Sequence, residues 1–142
     1  MTPKTLHRTL VIKERIRKWR HAELLDAQSR VDRAQQSVDQ EAARHADTAA
    51  RLTRAGEVSA HELALVADQL KVAQQALQRA KHELGSRVEE RDARKSEAGE
   101  ATREVRAIET LHTRLVSEQR RVADRREQSE LDDIAVRKGR SL

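Results

Sequence analysis

The sequence has 142 residues and a formal net charge of +5; charged residues make up 37% of it and Phe, Trp and Tyr together 1%, represented by Trp19 alone. So little bulky apolar material excludes a conventional globular core, and zero cysteines exclude disulfides, thiolate metal sites and cysteine nucleophiles. The abundant residues, Ala, Leu, Glu, Lys, Arg and Gln, are helix formers, and proline occurs only at Pro3.

The first predicted element is a helix over about residues 4–54. Leu10, Arg17, Leu24, Val31, Val38, His45 and Leu52 recur at intervals of seven, with Ala27, Ala34, Ala42 and Ala49 three or four positions on. That spacing places them on one narrow stripe, the seam of a coiled coil. Its start is strongly basic: residues 4–20 carry Lys4, Arg8, Lys13, Arg15, Arg17, Lys18 and Arg20 against Glu14 alone. Such a block is either a solvated face or a surface for an acidic partner, a nucleic acid or a lipid headgroup. Ile12, Ile16 and Trp19 cluster on a face about 120° from the seam. Trp19 either lies under the long Arg and Lys stems of its own helix or anchors a docking face for another protein.

A turn follows at about residues 55–59. Ser59-Ala60-His61-Glu62 reads as an N-cap Ser with Glu at N3, a reciprocal capping box that opens a second helix over about 60–137. Here Leu63, Leu70, Leu77, Leu84, Arg91, Ala98, Val105 and His112 form one series of sevens, and Val66, Ala73, Ala80, Arg87, Arg94, Ala101, Ile108, Leu115 and Val122 form another. A short connection between long helices implies antiparallel neighbours. It sets Leu52 beside Leu63, His45 beside Leu70, Val38 beside Leu77, Val31 beside Leu84 and Leu24 beside Arg91. Because Arg87, Arg91 and Arg94 sit on the seam, the hairpin is expected to be tight near its tip and looser toward its open end. Gly85 and Gly99 are expected bending points.

The fold class is therefore all-α: one elongated antiparallel coiled-coil hairpin over residues 1–142, monomeric, with a second helix that overhangs the first by roughly 25 residues. A continuous helix forming a parallel dimer is the competing arrangement. Along the overhang the apolar residues change side at Leu131 and Ile134. The charges form blocks, with Arg120, Arg121, Arg125 and Arg126, then Glu127, Glu130, Asp132 and Asp133, then Arg137, Lys138 and Arg140. A terminus of this kind is suited to docking.

Catalytic chemistry is not expected. No Gly-rich phosphate loop or His-Glu-x-x-His occurs, and His7, His21, His45, His61, His82 and His112 are scattered, so neither a cofactor nor a metal is expected. Carboxylate pairs such as Glu89 and Glu90, or Asp132 and Asp133, lie on exposed helix without a pocket to shift them. No run approaches 18 apolar residues and the N-terminus lacks a secretory pattern, so a cytoplasmic protein is expected.

The C-terminal stretch from Arg114 to Ala135, closing on Glu130-Leu131-Asp132-Asp133-Ile134-Ala135, resembles the end of the FliJ/YscO family, the coiled-coil stalk proteins of flagellar and virulence type III secretion. The basic segment Ile12-Lys13-Glu14-Arg15-Ile16-Arg17-Lys18 and the overall length are similar as well. The resemblance implies a non-enzymatic stalk that enters the pore of a hexameric export ATPase, links it to the export gate at the inner membrane and binds secretion chaperones. On this reading Ile12, Lys13, Ile16, Arg17, Trp19, Arg120, Arg121, Arg125, Arg126, Leu131 and Ile134 contact the partner. One departure is that family members often carry aromatics along the hairpin, where this chain is rich in alanine. The rival reading is a basic coiled-coil binder of nucleic acid or anionic membrane, and both a flagellar and a virulence machine remain open.

Overall fold

A computed structural model describes residues 1–54, 56 and 58–141. Ala55 and Glu57 of the expected turn lie outside the described residues, as does Leu142. Two helices account for the architecture: α1, Pro3–Arg54, and the longer α2, Ala60–Arg140. They pack against each other, and no strand occurs among the described residues.

Local chemistry explains where the helices begin. Thr2 is the N-cap of α1 and Pro3 occupies the first helical position, where its missing N–H leaves no bond unmade. The Thr5 amide donates to Thr2 Oγ1 at 3.3 Å and the Thr2 amide to Thr5 Oγ1 at 3.1 Å, a capping box with Thr in the usual Glu position. At α2 the Glu62 amide donates to Ser59 Oγ at 3.3 Å, the Ser half of the box read from the sequence. The second helix continues to Arg140, three residues past the expected end. Arg137, Lys138 and Arg140 in its last turn complement the negative end of the helix dipole. Both Gly85 and Gly99 lie within α2.

Each helix contributes to two compact units, one formed by Met1–Lys18 with Gly99–Leu142 and the other by Trp19–Ala98. In the second unit the antiparallel order is recorded by a ladder of cross-helix bonds. Arg20 donates to Glu97 at 3.0 Å, Arg91 to Gln28 at 3.3 Å and Arg30 to Glu90 at 2.8 Å. Arg91 thus reaches about one turn beyond Leu24, its expected neighbour, because long side chains at the edge of a seam reach diagonally as well as straight across. The stripe itself is intact, with Ala27, Val31, Ala34, Val38 and Ala98 buried and Leu24, His45, Leu52, Leu70, Leu77 and Leu84 half-buried.

The expected gradient of packing holds only in part within this unit. Val31 and Val38, set opposite Leu84 and Leu77, are buried as expected, but so is Ala27 in the zone of the α2 arginines, and Leu63 and Leu65 near the turn are each 49% exposed. Two causes are visible. Ala27 and Ala34, one heptad apart, are small enough to let the backbones approach. The seam arginines, meanwhile, turn outward to partners: Arg87 to Glu83 and Glu90, Arg94 to Glu97, and Arg91 to Gln28 and Asp92. Only their stems remain at the seam, as expected of snorkelling side chains.

In the first unit Leu6, Ala101 and Val105 are the buried apolar residues, and Val105 is fully enclosed. Lys13 donates to Glu104 at 2.7 Å, and the rings of His7 and His112 approach to 6.2 Å between centroids, so the helices are antiparallel here too. The cover ends with α1. Ile108, His112 and Leu115 are half-buried, but every described residue from Val116 to Ser141 is exposed. Val122, which continues the heptad series, is 46% exposed because no α1 residue remains to face it. The overhang is thus a lone helix.

Candidate interaction surfaces

The candidate residues of α1 divide by unit. In the first, Ile12 and Ile16, four residues and so one turn apart, are exposed by 57% and 37%. Arg17 and Lys13 are half-buried, and the Lys13 ammonium is engaged by Glu104 within the molecule. The apolar pair is therefore presented to solvent, while the Lys13 charge between them is turned to a partner within the molecule, which sequence spacing does not reveal.

In the second unit Trp19 is 57% exposed, with the Arg20 guanidinium 4.8 Å from its ring centroid. Arg20 also donates to Glu97 at 3.0 Å and to Glu23 at 3.3 Å, and Arg94 lies 3.8 Å from Glu23 and 3.1 Å from Glu97. Held by two carboxylates, Arg20 makes a fixed backing for one face of the indole and leaves the rest open. Both features weighed at the sequence level, a cation along the ring and an outward aromatic, are present together. Arg20 itself was not singled out, because its role depends on Glu97 from the other helix.

The remaining candidates lie on the overhang. Arg120, Arg121, Arg125 and Arg126 are exposed, and Leu131 and Ile134 are exposed by 54% and 49%. Leu115, Glu118, Gln119, Val122, Ala123 and Arg126 line a shallow groove on the same helix. The two sets of the first unit are not brought together. Lys13 pairs with Glu104, and from Glu104 to Arg120 is sixteen residues, about 24 Å of α-helix. They make two surfaces and not one.

Electrostatics on the second unit stabilise the hairpin without creating a reactive centre. The Glu90 carboxyl is held below its usual range, first by the hydrogen bond from Arg87, with further contributions from the charges of Arg30, Arg87 and Arg94. Arg87 and Arg94 are correspondingly raised by Glu90 and Glu97. A depressed carboxylate binds fewer protons in the folded than in the unfolded state, so its contribution is present above the unfolded value and is lost as pH falls through the folded one. Acid titration of the melting temperature below about pH 4.5 should therefore show a decline that is shallower in Glu90→Gln than in the parent chain. An identical profile in both would remove Glu90 from the account.

Among the described residues no group of three or more His, Cys, Asp or Glu could hold a metal ion, and no helix is long and apolar enough to cross a membrane. What the surfaces offer is binding: exposed aliphatic and indole side chains set among arginines. A family model described as Flagellar FliJ protein matches residues 4–141, nearly the whole chain. No curated protein and no solved structure gave a match.

Proposed function

The chain belongs to the FliJ family, and from that premise we propose that it is the non-catalytic stalk of a type III export complex, seated in a hexameric export ATPase and linking that ring to the export gate. The family makes it an export-related coiled-coil protein; the ATPase and gate contacts are our reading. The observation that supports it is the bare run from Val116 to Arg140, an exposed single helix of the kind that could enter the bore of a ring. Its arginine block, with the basic start of α1, would be drawn to acidic walls of the pore. Ile12, Ile16, Leu131 and Ile134 would give contacts that depend on orientation, and Trp19 an aromatic anchor. Secretion chaperones are further partners on this reading, and the complex works at the cytoplasmic face of the inner membrane.

A titration against the cognate ATPase, duplex DNA and anionic vesicles, at low salt and at about 0.5 M, tests it. At the higher salt screening acts within roughly 4 Å, so a purely electrostatic association is lost while one with apolar anchors survives in weakened form. Survival with the ATPase alone is the expected result. Binding confined to DNA or vesicles would replace this reading with that of a basic coiled-coil binder.

A further inference from the structure

We propose that His7 and His112 form a two-imidazole clamp for a borderline divalent cation, Zn2+, Ni2+ or Cu2+, that ties the start of α1 to α2. The two rings lie 6.2 Å apart between centroids with 46° between their planes. They project from different helices of the same unit, His7 exposed and His112 half-buried, so both can turn toward a shared ion. Imidazole nitrogen is a preferred donor for these metals. With metal–nitrogen bonds of about 2.0–2.1 Å, two rings on one ion have centroids about 5.2 Å apart at a tetrahedral angle and about 6.4 Å apart at a linear one. The observed separation falls between these limits, so a shared ion requires rotation about the side-chain bonds and no movement of the helices.

No further His, Cys, Asp or Glu completes a set of three among the described residues, so water fills the remaining positions and the ion exchanges readily. The consequence is mechanical. His7 lies in the second turn of α1, beside Leu6, the buried residue that anchors this end. A bound ion adds a metal cross-link beside that apolar anchor, at a terminal turn where fraying would begin. Nothing in either helix alone points to the site, since the pair arises from the antiparallel register and not from local spacing.

The test uses the untagged full chain, with histidine ring signals followed by NMR during addition of Zn2+ and, separately, of Cu2+. Signals of His7 and His112 should respond together and saturate at one equivalent, while those of His21, His45, His61 and His82 stay in place. His7→Gln and His112→Gln, each checked for helicity by circular dichroism, should each weaken binding about tenfold or more, because the second ring acts at high effective concentration. If either variant binds as tightly as the parent chain, or if all six rings respond alike, there is no clamp.

Discussion

Val105→Asp should destabilise the chain by about 3–5 kcal/mol, the cost of leaving a charge buried without a partner, and lower the melting midpoint by about 10 °C or more. Val122→Asp, the same change on the same stripe, should shift stability by less than about 0.5 kcal/mol, as exposed substitutions do. Both valines belong to the two series of sevens that a coiled-coil seam requires. Val105 is fully enclosed, however, whereas Val122 is 46% exposed on a helix that has outrun its partner. Thermal denaturation of the two variants beside the parent chain measures the difference. Equal losses would mean that something covers the overhang in the free protein.

On the proposed stalk reading, Trp19→Ala should leave the melting curve almost unchanged and reduce affinity for the export ATPase about 30-fold, the effect of about 2 kcal/mol expected at an aromatic hot spot. The indole is more than half exposed, so its removal opens no cavity. The cation–π contact with Arg20 is worth about 0.5–1 kcal/mol at such a site, so the loss of stability should be small beside that of a core truncation. Trp19 is the only tryptophan, so its fluorescence reports the same event. Emission should be that of a solvated indole in the free chain and shift to the blue when the ATPase is added. A large loss of stability on replacement, or an emission already blue-shifted and unresponsive to the ATPase, would assign Trp19 to the fold instead.

The helices were legible because each signal is local or periodic. Ser59 and Glu62 marked the start of α2, and the stripe from Leu10 to Leu52 marked the face that α2 covers. The cap at Thr2 was not anticipated, since Thr5 stands where the usual pattern has Glu or Gln. The packing gradient departs from expectation at Ala27 and at Leu63 for a different reason. Snorkelling is what seam arginines are expected to do; their partners Glu90 and Glu97 stand one turn along the same helix, but Glu23 and Gln28 come from α1 and show only once the helices are paired. The same limit applies to the interaction surfaces. Spacing put Ile12, Ile16 and Trp19 on one side of α1, but the engagement of Lys13 by Glu104 and the backing of Trp19 by Arg20 depend on which residues the second helix brings opposite.

The proposed stalk has one consequence that no ordinary adaptor shares. A single helix running into the bore of a six-membered ring is shared by all six subunits, so binding should saturate at one chain per hexamer. Sedimentation or native mass spectrometry of the full chain with its cognate ATPase, assembled with nucleotide, counts the subunits directly. One copy of the 16.2 kDa chain on each hexamer is the expected result. Six copies per hexamer, or equal binding to isolated ATPase monomers with no preference for the ring, would contradict it.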